Sequence, residues 1–130
     1  MGITVLLDTH ALLWALLEPE KLSRVAHDLI VDRQNQLLVS AASAWEIATK
    51  TRIGKLPNAA TVPASYLAHL ETLGATELPI SSAHALLAGA FDVDHRDPFD
   101  RMIAAQAVLT TTPVITRDPA FRLFPCRVLW

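Results

Sequence analysis

The segment ITVLLD, residues 3–8, decides how this sequence folds. Its first five residues are apolar apart from Thr4, and such a short continuous run is typical of a strand buried on both faces of a parallel sheet. The run ends in the carboxylate of Asp8, and an apolar helical segment follows almost at once, from His10 onward. The segment therefore predicts the first strand of an α/β fold, with a potential functional group at its carboxyl end.

The alternation of short strands and helices continues to the end of the chain. Apolar runs predict five strands, at residues 3–7, 36–40, 75–80, 113–117 and 126–130. Helical spacing, with Gly74 as a stop and Pro98 as a start, predicts helices at residues 10–17, 21–33, 43–55, 64–74, 81–90 and 98–109. This order is typical of an α/β fold with a mostly parallel five-stranded sheet.

Length and composition set limits on the class of protein. The chain has 130 residues, of which 52% are hydrophobic, which suits a single domain over residues 1–130. The formal net charge of -2 gives no general attraction to nucleic acid. A single cysteine, Cys126, excludes an internal disulfide and fits a reducing cytosol, and no apolar stretch approaches the ~20 residues that span a bilayer. We therefore expect a cytoplasmic protein.

Four acids lie at predicted strand ends and helix starts, which a parallel sheet would bring to one edge. Asp8 and Asp118 follow predicted strands, and Glu46 and Asp100 lie in the first turns of predicted helices. Each also has a structural explanation, because Asp and Glu near a helix start can cap its free N–H groups, and Ser43 to Glu46 matches a capping box. Taken together, however, adjacent carboxylates repel one another unless a cation neutralises them, and oxygen ligands suit Mg²⁺ or Mn²⁺.

Asp100 poses a question of topology. It begins a helix on the same side as Ile103, Ala104 and Ala107, which a helix would bury. In the simplest alternation the preceding helix, residues 81–90, returns to the amino edge of the sheet. Residues 89–97 would then have to lead the chain back before Asp100 could join the other acids.

Two other acid-dependent enzyme classes also place an aspartate after the first strand. A haloacid-dehalogenase-like phosphatase requires a second aspartate two residues later, where this chain has His10. A response-regulator receiver requires a lysine after a late strand, and neither Arg117 nor Arg127 supplies it. The sequence therefore disfavours both.

Four blocks of the sequence resemble the PIN-domain ribonucleases, and most closely the VapC toxins of bacterial toxin–antitoxin pairs. They are LLDTHALLW at residues 6–14, SAWEIATK at 43–50, HRDPFDRMIAAQA at 95–107 and VITRDPAF at 114–121. The resemblance runs along essentially the whole chain, and the block around Asp100 is the most specific. It implies a three-layer α/β/α PIN-like fold in which the third acid reaches the shared pocket.

The resemblance also implies roles for individual residues. Asp8, Glu46, Asp100 and Asp118 match the four family acids of an Mg²⁺- or Mn²⁺-dependent endoribonuclease. Asp8, Asp100 and Asp118 would hold the ion, and Glu46 would orient or deprotonate the attacking water. Supporting residues would be Thr9 and Thr116, through hydrogen bonds to a carboxylate, phosphate or water, and Asp97, through a cap or a contact to the acids.

Basic residues supply candidates for contact with RNA. Of the 13 acids, the four in the site leave 9, against 11 Lys and Arg, so the rest of the chain carries a formal +2. The candidates for steering the RNA backbone are Lys50, Arg52, Arg96, Arg101 and Arg117, although each can equally be a surface charge or a partner of an acid. The three tryptophans and the histidines His10 and His95 are more typical of structural positions.

The implied partners follow from the same resemblance. They are an RNA substrate, a cognate VapB-like antitoxin that inserts a segment near the acids, and a second copy of the chain in a homodimer. The alternative is a PIN-like module that binds RNA or a partner without cutting it. Retention of all four acids argues against that alternative.

Overall fold

A computed structural model of the chain describes residues 2–130. It contains one sheet with the strand order β3-β2-β1-β4-β5 and only parallel neighbours. The strands are β1 at Thr4–Leu7, β2 at Gln36–Ser40, β3 at Ala75–Leu78, β4 at Val114–Ile115 and β5 at Val128–Leu129. The five-stranded parallel sheet is confirmed. The last three strands are shorter than predicted, and β3 ends before Pro79, which has no N–H to continue the ladder.

Six α-helices connect and cover the strands. They are α1 at Thr9–Leu17, α2 at Arg24–Val31, α3 at Ala41–Arg52, α4 at Tyr66–Leu73, α5 at Ser82–Ala90 and α6 at Pro98–Thr110. Short 3₁₀ turns occupy Pro19–Lys21, Pro57–Ala59, Pro63–Ser65 and Pro119–Leu123. None of the helices formed by residues 2–130 is long and apolar enough to span a membrane.

The central strand β1 contributes buried side chains to both faces of the sheet. Val5 and Leu7 lie in a core shared with α1, α2, α3 and α4, while Leu6 lies in a second core with Ile103 and Ala107 of α6. Val5, Leu6 and Leu7 are all fully buried. Because successive side chains of a strand point to opposite faces, the uninterrupted apolar run serves both cores at once. The three-layer α/β/α architecture is thereby confirmed.

The order of the strands places a switch point beside β1. From β1 the chain builds the sheet outward through β2 and β3, then returns to the other side of β1 to form β4 and β5. At such a point the connections diverge from neighbouring strands and leave a crevice outside their carboxyl ends. The crevice lies between the ends of β1 and β4, where Asp8 and Thr116 follow the strands.

Helix α5 does not run back to the amino edge of the sheet, and the expectation drawn from simple alternation is wrong. In the middle of α6, Gln106 donates to the carbonyl of Pro79 at the carboxyl end of β3, at 3.1 Å, and it also approaches His84 near the start of α5. One and a half turns earlier, Arg101 reaches the carbonyl of Ala88 near the end of α5. The two helices are therefore antiparallel, and α5 leads outward to the start of α6.

The side chain of Arg101 holds this helical hairpin together. All three guanidinium nitrogens donate to backbone carbonyls, namely those of Ala88 at 2.8 Å, Gly89 at 3.4 Å, Phe91 at 2.6 Å, Val93 at 3.5 Å and His95 at 2.9 Å. The planar guanidinium is suited to several fixed acceptors at once, and some of these carbonyls lie at the open end of α5. Because the donors of Arg101 are engaged within the fold, the structure favours a structural role for this residue over a contact with RNA.

Arg101→Lys is expected to destabilise the protein by about 2 kcal/mol, since an ammonium group cannot span carbonyls on both sides of the hairpin. Urea unfolding followed by circular dichroism measures the change. Arg24→Lys is the matched control, because Arg24 is exposed and its nearest carboxylate lies 3.9 Å away. Equal midpoints for the two variants would contradict the structural role of Arg101.

Candidate active site

Asp8 and Thr116 meet at the switch point. The Thr116 hydroxyl donates to Oδ2 of Asp8 at 2.5 Å, and the Ala11 amide donates to Oδ1 at 2.8 Å. Asp8 therefore caps α1 and faces the crevice at the same time, although it is only 4% exposed. The same Thr116 oxygen accepts a hydrogen bond from the backbone N–H of Asp118 at 3.0 Å. Thr116 thus links the two acids that follow β1 and β4.

Glu46 is buried on α3 and does not cap it. The cap is Ser40, whose hydroxyl accepts from the amide of Ala42, so Ser43 lies within the helix and the capping box expected from the sequence is wrong. Glu46 is 2% exposed, and its Oε2 accepts a hydrogen bond from Lys50. Its Oε1 is buried without any hydrogen-bond partner. An unpaired buried carboxylate oxygen is costly, and this one is free to take a proton or contact a cation.

Asp100 lies in the first turn of α6, held from two sides. Asp97 caps the helix by accepting from the amides of Phe99 at 2.9 Å and Asp100 at 3.3 Å, as predicted for a cap. The imidazole Nε2 of His95 lies 2.9 Å from Oδ2 of Asp100. The loop ending in His95 is the one that Arg101 anchors. The hairpin thus determines the position of Asp100 and of the imidazole that contacts it.

Electrostatics show that these acids share one environment. Burial raises the pKa of Asp8, against the opposing effect of its hydrogen bonds, and the charge of Glu46 raises it further. Burial also raises the pKa of Asp100 to about 7; the His95 hydrogen bond lowers it, while the charges of Asp97, Glu46 and Asp8 raise it. The charges of neighbouring carboxylates therefore make ionisation of Asp8 and Asp100 harder.

Lys50 is the cation placed among these acids. Burial lowers its pKa, but the hydrogen bond and charge of Glu46 more than offset that effect, and the charges of Asp97 and Asp100 raise the pKa further. The i,i+4 pair expected between Glu46 and Lys50 is present. Lys50 is therefore the partner of an acid within the site, which is the alternative that the sequence left open beside a contact with RNA.

Asp118 lies on the flank of the site. It is exposed, and its Oδ1 caps the following 3₁₀ turn by accepting from the Ala120 amide at 2.9 Å. It lines a cavity of about 340 Å³ together with Asp8, His10, Trp14, Arg117 and Pro119. Thr9 hydrogen-bonds the hydroxyl of Ser43 at 2.9 Å and not a carboxylate, whereas its predicted contact with a phosphate or water stays a prediction.

The donor set fits a hard divalent cation in its chemistry. Within residues 2–130, no three His, Cys, Asp or Glu side chains are grouped closely enough to hold a metal ion. The available groups are nevertheless carboxylates whose ionisation is suppressed by burial and mutual repulsion, and Glu46 has one oxygen without a partner. Such oxygens are the ligands that Mg²⁺ and Mn²⁺ prefer.

The remaining basic candidates differ in what they contact. Arg52 and Arg96 are exposed, and Arg117 is exposed with its guanidinium carbon 6.0 Å from the ring centre of Trp14.

Among the aromatic residues, the sequence analysis did not identify Trp14 as part of the wall of the cavity beside Asp8. Trp14 ends the block LLDTHALLW that also contains Asp8, and this closeness in the sequence could have indicated its position. Trp45, by contrast, is 60% exposed and packs edge-on against Phe99.

Comparison with known proteins identifies the class to which this fold and site belong. The family model of the PIN domain matches residues 5–125, and the chain belongs to this family. It is 33% identical over 123 residues to ribonuclease VapC22 of Mycobacterium tuberculosis, a match covering 92% of this chain and 90% of that protein.

Solved structures agree on the fold. A chain in the structure of VapBC2 from Rickettsia felis bound to a promoter DNA fragment superimposes with a TM-score of 0.66 at 13% identity, covering 99% of this chain and 98% of that one. A toxin–antitoxin complex from Klebsiella pneumoniae gives a TM-score of 0.66 at 20% identity, covering 97% and 96%. The resemblance found in the sequence is confirmed.

Asp100→Asn is expected to make the metal-free protein more stable at pH 8 and not at pH 4. The folded chain keeps the Asp100 proton up to a pKa of about 7, against 3.8 for an ordinary aspartate. Wild-type stability therefore falls as the pH rises between these values and stays low above them, whereas asparagine has no proton to lose. We expect a gain of about 2 kcal/mol at pH 8.

Thermal unfolding at the two pH values, in metal-free buffer, measures this difference. Asp94→Asn serves as the control, because Asp94 is an exposed acid in the loop before Asp97. A variant at Asp100 that gains no more at pH 8 than at pH 4 would show that the carboxylate is not destabilised by its surroundings.

Proposed function

We propose that this protein is a metal-dependent endoribonuclease and the toxin of a type II toxin–antitoxin pair. The observation that supports the proposal is that Asp8, Glu46 and Asp100 of this PIN-family chain lie near enough for the charges of Asp8 and Glu46 to act on Asp100. The full-length similarity to a VapC ribonuclease supports the same activity. Burial of Asp8 and Asp100 beside other acids is unfavourable for the fold alone, and binding of a cation offsets that cost.

Asp8, Asp100 and Asp118 are the residues we assign to holding Mg²⁺ or Mn²⁺. When bound, the ion would neutralise the acids, make water easier to deprotonate and withdraw charge from the phosphate so that phosphorus is attacked more easily. Thr116 keeps the Asp8 carboxylate oriented through its hydrogen bond. His95 does the same for Asp100. These two contacts limit the rotation of both carboxylates before substrate arrives.

Glu46 is the residue to which we assign removal of the proton from the attacking water. Lys50 occupies Oε2 and leaves Oε1 to accept a proton from the attacking water. The water oxygen forms a bond to phosphorus in line with the bond to the 3′ oxygen, which then breaks. The departing 3′ oxygen takes a proton from solvent. The products are a 5′-phosphate and a 3′-hydroxyl.

The proposed partners rest on the family and on the charges around the site. The exposed side chains of Arg52, Arg96 and Arg117 are the remaining candidates for contacts with RNA phosphates. We further propose a VapB-like antitoxin that covers the site, a cytoplasmic location and a homodimer. Light scattering of the purified protein tests the homodimer, and a mass of 14.2 kDa would contradict it.

Cleavage of structured RNA tests the proposed activity. Wild type is expected to cut in Mg²⁺ or Mn²⁺ and to leave 5′-phosphate ends, and EDTA should abolish the cut. Asp8→Asn and Asp100→Asn are each expected to lose at least about 100-fold in kcat, because each removes a charged ligand from the site. Product ends are identified by their sensitivity to a 5′-phosphate-dependent exonuclease.

The control for these variants is Asp94→Asn, which changes an exposed acid near the site and should keep wild-type activity. Folding of all variants is checked by circular dichroism. Wild type that binds the ion yet cuts no RNA from a broad cellular pool would support the alternative, a non-catalytic PIN-like binding module. Wild type that binds no ion would overturn the assignment of the acids.

A further inference from the structure

The cavity of about 340 Å³ beside the acids contains more than carboxylates. Asp8 and Asp118 form part of its lining, and the aromatic rings of His10 and Trp14 form another part, with Arg117 beside them. The volume lies near the lower end of the range for small-molecule sites, so the cavity can hold a single nucleotide unit and no long stretch of RNA. It lies directly next to the acid that follows β1.

Trp14 is held in place by neighbouring aromatic residues. Trp130 packs against it at a ring-centre distance of 5.8 Å, and His10, one helical turn before it on α1, also lies at 5.8 Å. Trp14 and Trp130 are half-buried, whereas His10 is exposed. An indole supported in this way keeps a fixed orientation in the cavity wall, with the Arg117 guanidinium over its ring at 6.0 Å. Fixed aromatic side chains combined with nearby cations are typical of sites that stack on bases.

The charges around the cavity indicate which part of a nucleotide would occupy it. Two carboxylates disfavour an isolated anion, so the group in the cavity should be neutral. Arg117 is exposed at the same place, and its cation can pair with a phosphate that follows or precedes this neutral group. A nucleobase in the cavity with its phosphate against Arg117 satisfies both requirements.

We propose that Trp14, His10 and Arg117 form a subsite for the base of a nucleotide that flanks the scissile phosphate. The inference rests on the proposed ribonuclease function and assigns that activity a position at which the substrate base is contacted. The Trp14 ring stacks on the base, the exposed nitrogens of His10 reach its edge, and Arg117 contacts the adjoining phosphate.

Kinetics of RNA cleavage provide the first test, with Trp14→Leu compared with Trp14→Phe. Loss of the aromatic face is expected to raise KM about 10-fold while kcat at saturating RNA changes less than 2-fold. The phenylalanine variant should recover most of the affinity, because it keeps a stacking surface. Sequencing of the cut ends should show a weaker base preference at one position next to the cut in the leucine variant.

Fluorescence provides a second test that does not depend on cleavage. Trp45→Phe with Trp130→Phe leaves Trp14 as the only tryptophan. Titration with each of the four ribonucleoside 5′-monophosphates, in Mg²⁺, is expected to quench its emission, and His10→Ala is expected to weaken the quenching. This test remains decisive if Trp14→Leu does not fold.

The outcomes separate the two proposals. If wild type cuts RNA, the leucine variant has an unchanged KM and no mononucleotide quenches Trp14, the subsite is overturned and the nuclease stands. If mononucleotides quench Trp14 but wild type cuts no RNA, the nucleotide site stands and the proposed nuclease fails. Quenching together with the raised KM supports both.

Discussion

The hydrogen bond from Thr116 to Asp8 joins two strand ends that lie 108 residues apart in the sequence. It forms because β4 pairs with β1 in parallel, with Leu7 opposite Ile115, so that the residues after both strands emerge at one edge. β1 can occupy this central position because its side chains supply both cores. The site therefore depends on the burial of one short strand, and the acid that ends it is placed by the same sheet that stabilises the protein.

Buried acids raise an energetic problem, which the fold reduces with hydrogen bonds and one lysine. Thr116 donates to Asp8, Lys50 to Glu46, and His95 contacts Asp100. These contacts do not offset the effects of burial and of the neighbouring charges, which together raise the pKa of Asp100 to about 7. The remaining instability is consistent with a site that is completed by a cation, and it illustrates why acid clusters at functional sites are less stable than their surroundings.

The α5–α6 hairpin solves the problem of bringing Asp100 to the crevice. If α5 ran back along the sheet, a long connection would have to return the chain. Instead α5 leads outward, and Arg101 binds the carbonyls where the chain turns toward α6. One residue therefore orders the loop that carries His95 and the first turn that carries Asp100. Asp100 is the proposed metal ligand, and its neighbour Arg101 supports the loop and the helix start that position it.

Local patterns in the sequence determined the fold class and the acids. The run at residues 3–7, the Asp97 cap and the pair of Glu46 with Lys50 involve residues that are close in the chain, so periodicity and spacing were sufficient to predict them. Only the tertiary structure decided the direction of α5, the contacts of Arg101 and the position of Trp14 beside Asp8. These features depend on how separate helices pack and on which distant atoms then come within hydrogen-bond distance, and no local spacing encodes that.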